Sequence, residues 1–124
     1  MANEIEMTAR LYASKGGASI NNQTWTAVCN MTGTDMGQQT QEVSSGGELL
    51  DVTADLSLPY KLFVYNMDLV STIGIGDINS QVSGYWLKIP PQQFVLLPYV
   101  NTAMYVTCGT AGSTAKIFAQ YCEI

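Results

Sequence analysis

Hydrophobic and polar positions alternate along most of this chain with the period of two that marks a half-buried β-strand. Residues 4–12 place Ile5, Met7, Ala9 and Leu11 on one face and Glu4, Glu6, Thr8 and Arg10 on the other. Lys15-Gly16-Gly17 breaks that run, and residues 24–32 resume it with Trp25, Ala27, Cys29 and Met31 opposite a Thr-rich face. The stretch 38–44 is polar except at Val43, which predicts a strand at a sheet edge or in a solvent-facing hairpin. A Ser44-Ser45-Gly46-Gly47 loop leads into a short apolar segment, Glu48 to Val52. From Pro59 onward, β-branched and aromatic residues fill the runs 61–66, 71–76, 83–89, 93–97, 103–108 and 114–122. No stretch combines a helical apolar stripe with capping residues. Connections such as Asn66-Met67-Asp68, Pro90-Pro91-Gln92 and Gly109 to Gly112 are short, which predicts hairpins and meanders. The expected fold is all-β, a β-sandwich or jelly roll of about ten short antiparallel strands. A single domain over 1–124 is expected, with 1–12 as an arm or edge strand.

Composition narrows the chemistry. Charged residues make up 12% of the chain, and the 36 Ser, Thr, Asn and Gln outnumber the 15 charges, so the polar surface is mostly neutral. Five basic residues and a net charge of −5 cannot supply the cationic stripe that phosphate neutralisation requires, so no nucleic acid partner is expected. Histidine is absent, which removes Ser-His-Asp and Cys-His nucleophilic sites and imidazole metal sites. Cys29, Cys108 and Cys122 show no CxxC spacing, and buried free thiols are the expectation. If the Gly109 to Gly112 turn joins the last two strands as a hairpin, Cys108 falls near Ala115 and far from Cys122, leaving both unpaired. The acidic Met1 to Glu6 segment does not predict a signal peptide, and apolar runs such as Phe94 to Pro98 are far short of a membrane span.

Candidate constellations are few. Gly74-Ile75-Gly76-Asp77 is not followed by the helix that a phosphate loop needs, so these glycines mark a close sheet approach or a bulge. Asp77 to Gln81 begins like a calcium loop, but Val82 and Lys88 stand where Gly and Glu are required. Glu48, Asp51 and Asp55 are the clustered carboxylates; alternation puts Glu48 and Asp51 on opposite faces, which favours a solvated rim over an acid/base pair acting on a sugar. Asn22-Gln23-Thr24 and Asn30-Met31-Thr32 match the glycosylation pattern at chance frequency. Tyr85, Trp86, Tyr99, Tyr105 and Tyr121 could stack on sugar rings, but core and subunit-interface roles fit their amphipathic rings better. Tyr85 and Trp86 are adjacent, so one points inward and the other outward as a contact residue.

Three segments carry a resemblance: Lys61-Leu62-Phe63-Val64-Tyr65-Asn66-Met67-Asp68, Ile73-Gly74-Ile75-Gly76, and Trp86-Leu87-Lys88-Ile89-Pro90-Pro91-Gln92-Gln93-Phe94-Val95-Leu96-Leu97-Pro98. A strand ending in an Asn-x-Asp turn, an Ile-Gly strand, and a leucine, a turn and an apolar run ending in Pro resemble the small β-rich virion proteins of tailed bacteriophages. Two terminal strands like 103–108 and 114–122 complete that pattern. Pro90-Pro91-Gln92-Gln93 departs from the more usual Pro-Gly-Glu turn, which leaves the subtype open. The resemblance implies a jelly-roll or sandwich subunit of a virus particle, made in the host cytoplasm and placed on the capsid surface. Most often such a subunit is a capsid decoration (cement) protein, bridging capsomers by binding the major capsid protein as a homo-oligomer, here expected to be a trimer. A tail- or fibre-associated receptor- or carbohydrate-binding module is the alternative. No catalytic residue, cofactor, metal or membrane partner is implied. The expected contact residues are Ile5, Met7 and Leu11 of the arm, which could add a strand to a neighbour's open sheet edge, together with Tyr85 and Trp86.

Overall fold

The computed structural model describes residues 4–20, 23–31, 35–51, 56, 59–77 and 87–124. Regular structure among them is β, and the chain divides into two compact units, Met1–Thr32 and Gly33–Ile124. The sandwich is built from strands of the second unit; the first, which includes the expected arm 1–12, forms small sheets of its own.

In the first unit β1 (Ile5–Arg10) pairs antiparallel with β4 (Thr24–Cys29). Between them, β2 (Ser14–Lys15) and β3 (Ala18–Ser19) close on the two-residue Gly16-Gly17 turn, where both φ angles are positive, 60° and 84°. Such a turn matches the twist of the flanking strands, and glycine adopts it without a Cβ penalty. The β1/β4 register sorts side chains by polarity. Ile5 faces Cys29, Met7 faces Ala27 and Ala9 faces Trp25 on one side, whereas Glu6, Thr8 and Arg10 meet Val28, Thr26 and Thr24 on the other. Glu4 Oε2 accepts from the Met31 amide at 2.8 Å, and the Arg10 guanidinium lies 5.5 Å from the Tyr12 ring centroid.

The second unit contains β5 (Met36–Ser44), β6 (Glu48–Leu49), β7 (Tyr60–Asn66), β8 (Ile73–Gly76), β9 (Leu87–Ile89), β10 (Phe94–Val100), β11 (Tyr105–Cys108) and β12 (Thr114–Glu123). They form two antiparallel sheets in the orders β10-β7-β12-β5 and β6-β11-β8-β9. Pairing is nested: β5 with β12, β6 with β11, β7 with β10 and β8 with β9. A long hairpin turning between β8 and β9, rolled so that its pairs fall alternately on two sheets, has this order, which is that of a jelly roll.

Strand alternation supplies the core. Leu62, Val64, Ile117, Ala119 and Val43 come from the first sheet, and Ile73, Ile75, Val106, Cys108 and Ile89 from the second, in one buried cluster. Each fully buried aliphatic side chain contributes about 1.5–3 kcal/mol. Asn66 ends β7 on the same inward face, fully buried, and its Nδ2 donates to the carbonyls of Ser71 (2.8 Å) and Ile89 (3.0 Å). A buried amide thus ties the first sheet to both sides of the β8/β9 pair. In edge strand β10 the register with β7 shifts between Leu97 and Val100, around Pro98, which has no N–H for the ladder.

Two expectations are corrected here. Consecutive strands of the sandwich do not form a run of hairpins; among the described pairings of this unit, β8 and β9 are the consecutive pair. The expected hairpin of the last two strands is also absent: Cys108 pairs with Ile73 on one sheet, and Ala115 with Val43 on the other. The turn at Gly109 to Gly112, with Gly112 at φ 74°, carries the chain between sheets. A tight turn can close a hairpin or arch across a sandwich, and the alternation of the strands on either side is the same in both cases.

Candidate interaction surface

Strands of a sandwich bury one face and solvate the other, so an apolar outward face is informative. On the first sheet the outward positions of the three strands β10, β7 and β12 carry Phe94, Leu96, Phe63, Tyr65 and Phe118. Phe94 pairs with Tyr65, which pairs in turn with Phe118; Leu96 pairs with Phe63, which pairs with Gln120. The five form a contiguous patch across three strands, with the Phe63 and Phe94 ring centroids 5.6 Å apart and the rings tilted by 33°. Phe94 is 62% exposed and the other four are half-buried at the same surface. Neutral polar groups border the patch on the β5 side: Thr40 opposite Phe118, and Gln120 Nε2 donating to Gln38 Oε1 at 3.0 Å. Charge is confined to the ends, with Lys61 at one and the Lys116/Glu42 pair at the other. Amide and hydroxyl borders cost less to desolvate than charges, so covering this face with another surface would carry a low desolvation cost.

A second apolar feature is held out by a rigid loop. The Asp68 carboxylate accepts from the amides of Val70 and Ser71, its own amide donates to Asn66 Oδ1 at 3.0 Å, and Ser71 Oγ donates to Thr110 Oγ1 at 3.0 Å. Those backbone bonds hold the Asp68 carboxyl below its ordinary value of 3.8. The bracing leaves Leu69 and Val70 74% and 82% exposed, beside a hollow of about 530 Å³ lined by Met67, Ser71, Thr110 and Lys116 among others.

The expected contact residues are dispersed. In the first unit Ile5 is buried, Met7 is half-buried and Leu11, past the end of β1, is exposed. Tyr85 and Trp86 lie outside the described residues, as do Asp55, Asn22 and the stretch Ile78 to Val82. Tyr99 is exposed in β10, and Tyr105 is half-buried opposite Gly76. Glu48 and Asp51 do not form a pair: Glu48 Oε1 accepts from the Ser44 amide across its turn, while Asp51 Oδ2 accepts from Gln39. Cys29, Cys108 and Cys122 form no disulfide with one another. Among the described residues no group of three or more Cys, Asp and Glu side chains gathers as a metal site, and no helix is long and apolar enough to cross a membrane.

The aromatic patch was not singled out by residue type. Its signal was Leu62-Phe63-Val64-Tyr65, apolar on both faces of a strand, next to Phe94 and Leu96 in another; an antiparallel strand solvated on one side does not read that way. Comparison of the chain with protein-family models, curated proteins and solved structures finds no match.

Proposed function

We propose that this protein is a structural subunit of a bacteriophage particle, a capsid decoration protein that stabilises the shell by bridging neighbouring capsomers. The observation that carries the reading is the aromatic outer face of the first sheet, five large apolar side chains bordered by amides and hydroxyls on a jelly roll. Support also comes from the virion-like strand pattern over 61–124 and from the low charge content. The partners are the major capsid protein and further copies of this chain. A trimer on a threefold axis presents three copies of one weak site, and after the first contact the others become intramolecular. The apolar side of the β1/β4 ribbon, with Trp25 68% exposed, adds a contact that the arm can make.

The test mixes purified protein with expanded shells that lack it, and follows co-sedimentation, shell rupture temperature and solution mass. Binding with raised rupture temperature, and a mass three times the 13.4 kDa of the chain, is the expected result. Replacing Phe94 and Phe118 by Glu should weaken binding by roughly thirtyfold or more, as loss of central aromatic anchors does, with the sandwich still folded. Deleting 1–12 should also weaken binding while leaving the second unit folded. A monomer that neither binds shells nor raises their rupture temperature sinks the proposal.

A further inference from the structure

The inward face of edge strand β5 is unusual for a sandwich. Alternation from buried Val43 puts half-buried Gln41, exposed Gln39 and half-buried Gly37 on the same face, so polar groups continue the line of the core out to solvent. Gln41 uses both ends of its amide on the segment after β6, Nε2 donating to the Leu49 carbonyl at 2.9 Å and Oε1 accepting from the Asp51 amide at 3.0 Å. That bracket sets Asp51 beside β5, where Gln39 Nε2 reaches its Oδ2 at 3.4 Å. Across the strand, Tyr121 pairs with Gly37, and its ring lies so close that a Cβ on Gly37 would stand 3.0 Å from Cε1 and Oη. Tyr121 Oη donates to Asp35 Oδ1 at 3.2 Å, and Asp35 is itself fixed to Glu123 by two bonds, N to Oε1 at 3.1 Å and O from N at 2.9 Å. Burial first, and then the negative charge of Asp35, hold the Tyr121 phenol above its ordinary value, so it remains a donor.

These groups line an open cleft of about 270 Å³, together with Leu56. Its chemistry selects a ligand. Two carboxylates that each receive one donor from the lining keep further acceptor capacity, and Gln39 adds a carbonyl oxygen. The described lining has no cation, so an anionic ligand would meet only repulsion. Among the described residues no group of three or more Cys, Asp and Glu side chains gathers here as a metal cage. What suits many acceptors beside a ring and a leucine is a small molecule with hydroxyl donors on its edges and C–H groups on its face. The volume lies just below the range of drug-sized pockets, which limits the ligand to about one ring.

We infer that this cleft binds one neutral pyranose ring, its hydroxyls donating to Asp35, Asp51 and Gln39 and its C–H face resting against Tyr121 and Leu56. The site does not rest on the shell-binding reading: none of the five apolar side chains of the aromatic face lines it, and Gln38, which borders that face, is the residue the two share. A single ring with few contacts binds weakly, in the millimolar range, and gains avidity only through several copies.

The experiment titrates the full-length, isotope-labelled protein with the methyl glycosides of glucose, galactose, mannose and N-acetylglucosamine, reading amide shifts. Butylamine and N-acetylneuraminic acid serve as cationic and anionic probes. Saturable shifts at Gly37, Gln39, Asp51 and Tyr121 with at least one neutral glycoside, and none with the anionic sugar, are expected. Asp51→Asn and Asp35→Asn keep shape and should each weaken binding by roughly tenfold, the scale of a hydrogen bond involving a charged group. Unchanged thermal midpoints in these variants assign that loss to the site rather than to unfolding. The inference is overturned if no glycoside shifts these amides, if the shifts fall elsewhere, or if butylamine binds there more tightly than any sugar. Shell binding is measured separately, so either proposal can fail without the other.

Discussion

Asn66 joins the two sheets by buried hydrogen bonds, and removing it tests the fold directly. It is fully buried, it donates to the Ser71 and Ile89 carbonyls, and its Oδ1 accepts from the Asp68 amide. Asn66→Ala leaves two carbonyls and one amide without these partners, and removes side-chain volume from a closed site. An unsatisfied buried polar group costs about 1–3 kcal/mol, so with partial relaxation the expected loss is about 3–5 kcal/mol. Domains of this size lose about 4–8 °C per kcal/mol, which places the drop in thermal midpoint at roughly 12–40 °C. Urea denaturation followed by circular dichroism should show the midpoint fall with the slope unchanged. Asn66→Asp separates hydrogen bonding from volume: it fills the same space but turns an oxygen toward two carbonyls, and should destabilise at least as much at neutral pH. A loss under about 1 kcal/mol for Asn66→Ala, or a neutral Asn66→Asp, would falsify the idea that this amide clamps the sheets together.

Because backbone amides depress the folded-state value of Asp68, the unfolded chain binds more protons just below the ordinary value of 3.8, so stability should fall as pH drops through that range. In Asp68→Asn, acid titration of unfolding should show a shallower decline over the same window. Gly109→Ala would put a Cβ 2.7 Å from the Thr72 backbone oxygen, a contact that only backbone movement relieves, and should cost about 2 kcal/mol or more by urea denaturation. Cys108 is buried whereas Cys29 and Cys122 are half-buried, so thiol labelling read by mass spectrometry should modify Cys29 and Cys122 first and reach Cys108 only on unfolding. A Cys108–Cys122 bridge in freshly purified protein would contradict the placement of the two thiols on different sheets.

The strands were legible because period-two alternation is a local property: Ile5 to Arg10, Tyr60 to Asn66 and Thr114 to Glu123 each announce which side is buried within their own residues. The Gly16-Gly17 turn was legible for the same reason, since a backbone with two positive φ angles asks for glycine. Topology was not, because whether β11 turns back on itself or arches to the other sheet depends on what lies beyond the turn, here Gly76 to Ile73 on one side and the β5 and β7 edges on the other. The candidate surfaces divide along the same line. Phe63, Tyr65 and Phe94 advertised a covered outer face by being apolar where alternation allows polar residues, yet their union into one patch needed the β7/β10 register. Gln39 and Gln41 pointed the other way. Polar residues in 38–44 correctly implied an edge strand, but locally they look like a solvated face. What keeps them inward is hydrogen bonding to Leu49 and Asp51, a pairing across the Ser44 to Gly47 turn. A polar side chain at the margin of a core is tolerated when such partners satisfy it, and only the register shows that half-buried Gln41 and exposed Gln39 share the face of Val43 rather than the opposite one.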